Sequence, residues 1–305
     1  MEELLKIYWL RPETVLWRYL DNKAMNNFKF NSPSLDIGGG DGLLSFVRAG
    51  GEFDDLFDAF QSMKDMTNYF DGEDVWNHYD DSLKPIITKE PDYKIDYILD
   101  HKQALLDKAK TLNLYNNFVQ HDANEKLPFK DNEFNTIYSN IVYWLDKPEE
   151  TFKEIFRILN KDGECCLFLP NSTYPDFSFY NELYLKTGDE DFEFLKFLDR
   201  GNLSEIKSAK SYDEWKVLIE NSGLSIKEHK IHLSKTVMQI WHIGLRPIFP
   251  LLLEMVNSID NKDKLKSIKR KWIETFNMML KPIADMDEKL NQNKEHAFHM
   301  FILKK

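Results

Sequence analysis

Ser34-Leu35-Asp36-Ile37-Gly38-Gly39-Gly40-Asp41-Gly42 follows Pro33 and runs into an apolar segment, Leu43-Leu44-Ser45-Phe46-Val47. The spacing predicts a short buried strand, a glycine-rich turn and the start of a helix. Glycines at 38, 40 and 42 remove the Cβ where the backbone turns sharply and a ligand approaches. Amides at the start of the following helix are expected to point at that ligand and to favour an electronegative group. A dinucleotide fingerprint needs G-x-G-x-x-G. Counted from Gly38 the sixth place is Leu43, and Gly42 comes one residue early. The frame is D-x-G-x-G-x-G.

Composition bounds the setting. The 305 residues are 42% hydrophobic and 14% aromatic, ample for a packed core in one large domain or one domain with additions. A net charge of −11 argues against nucleic acid as the main partner, because phosphate binding needs a basic face. The two cysteines, Cys165 and Cys166, are adjacent in an apolar run. Neighbours on a strand point to opposite faces, so no bridge is expected and a cytoplasmic setting fits. Met1-Glu2-Glu3 opens no signal peptide. No uncharged run reaches the roughly 18 residues of a membrane span.

Residues 1–33 read as two helices ahead of the sheet, with Pro12 at a first helical position and Val15, Leu16, Tyr19 and Leu20 on one face. Trp9, Arg11, Trp17 and Arg18 are unusual company for a leader. They either pack over a sheet edge or, for Trp9 and Arg11, close over a ligand. The next convincing strand, Ile95 to Asp100, starts more than fifty residues after Gly42. Residues 48–92 between them are acidic and aromatic, too apolar for a linker, and are expected to form a cap. Their acids show no metal-ligand spacing, and no metal is expected. Asp100 ends the second strand, where a carboxylate either accepts two hydrogen bonds from a ribose diol or caps the next helix. Asn117 to Ala123 reads as a third strand, and Phe134 to Asn140 as a fourth, followed by Tyr143-Trp144-Leu145. A helix starts at Pro148 with Glu149 and Glu150, buries Phe152, Ile155, Phe156 and Leu159, and is expected to stop at Gly163. Cys165 to Leu169 is a continuously apolar fifth strand. Residues 171–210 are a second aromatic insertion. Ser211 and Glu214 make a capping box for a helix ending near Gly223. Leu224–Ile231 and Ala297–Leu303 read as the last two strands, separated by a helical excursion over about 235–292.

Taken in order, the glycine loop, strand-ending Asp100, Asp122-Ala123 and the stretch Glu154-Ile155-Phe156-Arg157-Ile158-Leu159 through Gly163 resemble class I S-adenosylmethionine (SAM)-dependent methyltransferases. The resemblance covers about residues 34–170, with 211–231 in support. Leu127-Pro128-Phe129 and Asp131 to Phe134 also match; Asn135 stands where that family usually has Asp. The resemblance implies an α/β fold, a doubly wound, seven-stranded, mostly parallel sheet of the Rossmann-like methyltransferase type, with helical cap insertions at about 48–92, 171–210 and 235–292. The methyltransferase domain would span 34–305 behind an N-terminal helical cover, 1–33. It implies SAM as cofactor, held by Asp36, Gly38, Gly39, Gly40, Gly42, Asp100, His101, Asp122, Ala123 and Asn140.

The expected reaction is methyl transfer to a small polar acceptor, a hydroxyl of a sugar or natural product. Ser139-Asn140-Ile141-Val142 replaces the Asn/Asp-Pro-Pro-Tyr/Phe motif of amino-nitrogen methylation. Tyr143 and His242 are the candidates for catalysis, and Trp9, Arg11, Tyr143, Trp144 and His242 for the acceptor; His78 and His232 are weaker candidates for a base. Two alternatives stand beside this reading. One is a SAM-binding module without catalysis. The other is a methyltransferase acting at a membrane surface on a lipid-linked acceptor, suggested by the apolar stretch Trp241 to Leu253 with Lys262, Lys264, Lys266, Lys269, Arg270 and Lys271 behind it.

Overall fold

A computed structural model describes residues 1–59, 84–188, 194–199, 202, 206–290 and 296–305. Helices α1 (Glu2–Ile7) and α2 (Pro12–Ala24) precede β1 (Ser34–Ile37) and α3 (Leu43–Arg48). A small ribbon, β2 (Glu52–Phe53) with β3 (Ile87–Lys89), follows. Next come β4 (Ile95–Asp100), α4 (Gln103–Lys110), β5 (Tyr115–Gln120), β6 (Phe134–Ser139), α5 (Pro148–Ile158) and β7 (Leu159–Pro170). The rest is α6 (Phe179–Thr187), α7 (Phe194–Asp199), α8 (Tyr212–Asn221), β8 (Ser225–Ser234), α9 (Lys235–Ile243), α10 (Phe249–Asn257), α11 (Lys262–Leu290) and β9 (His296–Lys304).

Seven strands form one sheet in the order β5-β4-β1-β6-β7-β9-β8. Five pair in parallel, and β9 runs antiparallel to both β7 and β8. The doubly wound seven-stranded architecture is as expected. The chain winds from β1 outward to β4 and β5, then returns to place β6 on the other side of β1. That reversal opens a crevice at the carboxyl ends of β1 and β6, where ligands of open α/β sheets bind.

Burial explains the strands. All four residues of β1 are buried, as are eight of the nine in β9. Cys165 and Cys166 are free thiols that face opposite cores, one on each side of the sheet. On one side α5 and α8 pack Phe152, Ile155, Trp215 and Ile219 against Leu167 and Phe301. On the other, α2 buries Leu16, Trp17 and Leu20 with Tyr138, Phe168 and Phe298, each large side chain contributing on the order of 2 kcal/mol. Residues 1–33 are therefore part of the core and not only an edge cover.

Local signals behave largely as read. Pro12 opens α2 and Pro148 opens α5 at their first turns. Ser211 and Glu214 form the reciprocal capping box of α8, and Gly223 follows it at φ +92. Gly163 is different: α5 ends at Ile158, and Gly163 lies inside β7. A Cβ there would come within 3.0 Å of the Phe134 carbonyl oxygen, so the glycine permits close strand pairing rather than ending a helix. The 29-residue α11 packs against α1, α2 and β8, bracing the N-terminal helices. Most of the first expected insertion, residues 60–83 with His78, lies outside the described residues.

Candidate functional site

The glycine loop sits at the end of β1, in the crevice beside β6. Gly38, Gly40 and Gly42 all have positive φ, at +70, +59 and +74. Their reasons differ. A Cβ on Gly38 would meet Ile141 at 2.5 Å, and one on Gly42 would meet Tyr115 at 2.8 Å. Gly39, with no such φ, is closed in by Ile98 at 2.7 Å. These three let protein pack on protein. A Cβ on Gly40 has nothing within 4 Å among the described residues, so of the four loop glycines Gly40 presents open space there.

Four amides of the loop and helix start are engaged within the protein. Gly38 donates to the Leu99 carbonyl at 2.7 Å, Gly40 to Asp100 Oδ2 at 3.0 Å, Gly42 to the Gly39 carbonyl at 3.1 Å, and Leu43 to Asp41 Oδ1 at 3.2 Å. Of the expected helix-start donors, Leu43 is thus turned inward, and α3 has only six residues.

Asp36 is buried beneath the loop. Its Oδ2 accepts from Ser45 Oγ at 2.8 Å and Tyr115 OH at 2.7 Å. Its Oδ1 is buried and has no hydrogen bond among the described residues. Burial raises its pKa, against the two hydroxyls and Arg48, which favour the charged form. Arg48 stacks over Tyr138 at 4.4 Å and donates to its hydroxyl at 3.1 Å.

Asp100 is buried and has two jobs. Oδ2 holds Gly40, and Oδ1 accepts from the Lys102 amide at 2.9 Å, capping the turn into α4. Each oxygen keeps a second lone pair for a hydroxyl. His101 is exposed, its Nδ1 3.5 Å from Asp100 Oδ1. Asp122, exposed past the end of β5, accepts from the Asn124 amide at 2.9 Å, which lowers its pKa; Ala123 beside it is buried. Asn140, half-buried, follows β6, whose Ser139 Oγ donates back to the Ile37 carbonyl at 3.0 Å. These residues converge on the carboxyl ends of β1, β4, β5 and β6.

The expected acceptor residues divide. Tyr143 and Trp144 form the single turn after β6, their rings 5.0 Å apart, with Trp144 exposed. Tyr143 packs edge-on to Phe298 at 5.5 Å; Phe298 meets Trp17 at 5.2 Å, and Trp17 meets Trp241 at 5.0 Å. This aromatic wall is buried in the core on the β6 side of the sheet. Trp9 is not in it: it is buried, donates to Asp58 Oδ2 at 2.6 Å and packs on Trp272. Arg11 lies beside Glu13 and Phe249. His242 is fully buried, with Nδ1 on the Met238 carbonyl at 2.8 Å and Nε2 on Asn202 at 3.2 Å. Burial brings its pKa down to about 4. With both ring nitrogens engaged inside the protein, His242 has no free nitrogen for an acceptor.

Arg18 and Asp21 were not among the expected site residues. Arg18 donates to Asp21 Oδ2 at 3.0 Å, and Asp21 Oδ1 is 3.0 Å from His232 Nε2 on β8. The sequence signal was there, in an arginine beside Trp17 with an acid one turn later, but it reads equally as a helix-surface pair.

A family model described as a methyltransferase domain matches residues 93–167. Comparison with the curated proteins gave no match. Among solved structures, the chain is similar to a SAM-dependent methyltransferase of Thermotoga maritima, at 15% identity over 71% of this chain and 74% of that one, with a TM-score of 0.41. It is also similar to the YcgJ protein of Bacillus subtilis, at 12% identity over 94% and 98% with a TM-score of 0.42. A third is phosphoethanolamine N-methyltransferase 2 of Haemonchus contortus in complex with phosphomonomethylethanolamine and S-adenosylhomocysteine, at 13% identity over 96% and 58% with a TM-score of 0.46. The matched domain contains Asp100, Asp122, Ala123 and the α5 stretch. The sheet around it has the order and the single reversed strand set out above. Residues 93–167 thus match a methyltransferase domain, set in a sheet of the class I SAM-dependent methyltransferase type, a family whose methyl donor is SAM.

Proposed function

We propose that this enzyme methylates a small polar acceptor, a hydroxyl of a sugar or natural product, in a domain spanning 34–305 whose acceptor side is closed by residues 1–33. Bound SAM supplies an activated sulfonium methyl. On this reading Asp100 and His101 hold the ribose, Asp122 and Ala123 border the adenine, and Gly40 lets the amino-acid part approach. The protein's remaining task is alignment, bringing the acceptor oxygen in line at roughly 3 Å and excluding water. The observation that supports the acceptor reading is the exposed ring of Trp144, 5.0 Å from Tyr143 in the turn that follows β6 and backed by the aromatic wall. Aromatic faces suit the apolar faces of a sugar or a flat natural product. Tyr143, at the end of β6, is the catalytic candidate that stands in this wall.

Incubation with SAM and a panel of hydroxylated, amino and carbon acceptors, read by mass for one added methyl, tests it. Methylation of hydroxylated acceptors is expected; methylation confined to amines or carbon would sink the hydroxyl reading.

One observation favours a second setting. Ile243, Ile248, Leu251 and Met255 are exposed on the 241–257 segment. No helix among the described residues is long and apolar enough to cross a membrane, but this patch would suit a lipid-linked acceptor at a bilayer surface. Liposome flotation at low salt decides it: protein remaining at the bottom ends that setting.

A further inference from the structure

The amides of Gly38, Gly40, Gly42 and Leu43 are engaged within the protein. A carboxylate on a ligand of this site gains from a further donor, and Arg18 is built as that donor.

Arg18 projects from α2 beside the aromatic wall. Its side chain keeps 26% of its exposure, while Asp21, which it bonds, keeps 3%. The pair is more than a solvated i,i+3 contact, because Asp21 is itself fixed by His232 on β8 at 3.0 Å. His232 in turn packs edge-on to Phe168 at 5.1 Å. A strand residue thus locks a helix carboxylate, which locks the guanidinium. Trp17 lies 5.6 Å from the guanidinium carbon, limiting its other freedom. Tyr143 and Tyr138, both at the β6 end of the crevice, are near enough to act on its charge. Arg18 has five N–H donors, and among the described residues one is used, on Asp21. The others form a planar fork that matches a carboxylate. In a chain of net charge −11, a guanidinium held this rigidly beside the site is a specific feature.

We propose that Arg18, held by Asp21 and His232, is the carboxylate-binding group of this site. The inference rests on the methyltransferase reading. The carboxylate comes either from the amino-acid end of the cofactor or from the acceptor, and both present the same chemistry.

Calorimetry on the full chain separates the sources. S-Adenosylhomocysteine and its decarboxylated analogue are titrated into wild type, Arg18→Met and Arg18→Lys. Then 4-hydroxybenzoate and 4-hydroxybenzamide are titrated into each protein loaded with S-adenosylhomocysteine. If the cofactor is the source, wild type prefers S-adenosylhomocysteine over the decarboxylated analogue by tenfold or more, Arg18→Met loses that preference, and Arg18→Lys keeps part of it. If the acceptor is the source, Arg18→Met binds S-adenosylhomocysteine within twofold of wild type, and the loaded wild type favours the acid over the amide by tenfold, a preference absent in Arg18→Met. The proposal is overturned if wild type shows neither preference, or if Arg18→Met keeps both. A wild type with neither preference overturns the proposal whether or not Arg18→Met folds, and if Arg18→Met does not fold, Arg18→Lys, with a preference equal to wild type counting against the proposal and a reduced one for it, carries the assignment. Failure of the cofactor reading is distinguishable: wild type would then bind neither nucleoside.

Discussion

The carboxylate of Asp100 accepts a hydrogen bond from the amide of Gly40 at 3.0 Å, sixty residues away in the chain. One buried acid at the end of β4 thereby sets the position of the loop glycine that faces open space among the described residues at the end of β1. On the proposed reading the same acid grips the ribose, so loop shape and nucleoside binding share a side chain. Asp100→Ala should weaken S-adenosylhomocysteine binding by about 1–3 kcal/mol, a loss of roughly fivefold to 150-fold, through unpaired hydroxyls and a released loop. Calorimetric affinity equal to wild type would show that the ribose lies elsewhere.

The glycines should fail in different ways. Gly38→Ala puts a Cβ 2.5 Å from Ile141 and should lower thermal stability as well as binding. Gly40→Ala meets no atom of the described residues within 4 Å. It should cost only about 1–2 kcal/mol for a left-handed residue while still reducing cofactor affinity. Thermal melts beside binding isotherms check this, and equal loss of stability in both variants would contradict it.

His242 is expected to matter for folding and not for the nucleoside. His242→Ala strands Asn202 and opens a cavity, and should destabilise by about 2–4 kcal/mol. Affinity for S-adenosylhomocysteine, measured on the folded fraction, should be unchanged. A stable variant would mean that His242 is not the packed residue described above.

Acid should destabilise the protein before its ordinary carboxylates titrate. Burial holds His242 at about 4 and His299 at about 2, below the usual histidine value of 6.5. As pH falls from 7 the unfolded chain takes up protons that these folded sites refuse, so their stability contribution is lost as pH drops below 6.5. Two such groups imply about 2 kcal/mol lost between pH 7 and 5.5. Glu13, Asp36 and Asp41 are raised by burial and act with the opposite sign at lower pH. Urea midpoints at the two pH values measure the difference, and a midpoint that stays level or rises on acidification would contradict it.

The centre of the sheet was legible because β1, β6 and β9 are buried on both faces and so read as largely apolar runs. Asp100 and Asp122 stand at strand ends because the chain must turn there. Gly163 was misread because a glycine after a helix pattern resembles a stop signal; only the pairing of β7 with β6 shows why a side chain is excluded. The direction of the loop amides was hidden, since it depends on Leu99 and Asp100 reaching back across the sheet. His242 looked available because sequence shows one face of α9 and not the neighbours packed over it. Arg18 needed His232, more than two hundred residues on, before it became more than a surface pair.

The most direct test of the account is calorimetric titration of S-adenosylhomocysteine into wild type and Gly40→Arg, with thermal melts on both. The account predicts saturable one-site binding to wild type and none to a Gly40→Arg protein that still melts cooperatively, because the new side chain fills the open face of the loop. Equal binding by the two proteins, or none by wild type, would contradict it.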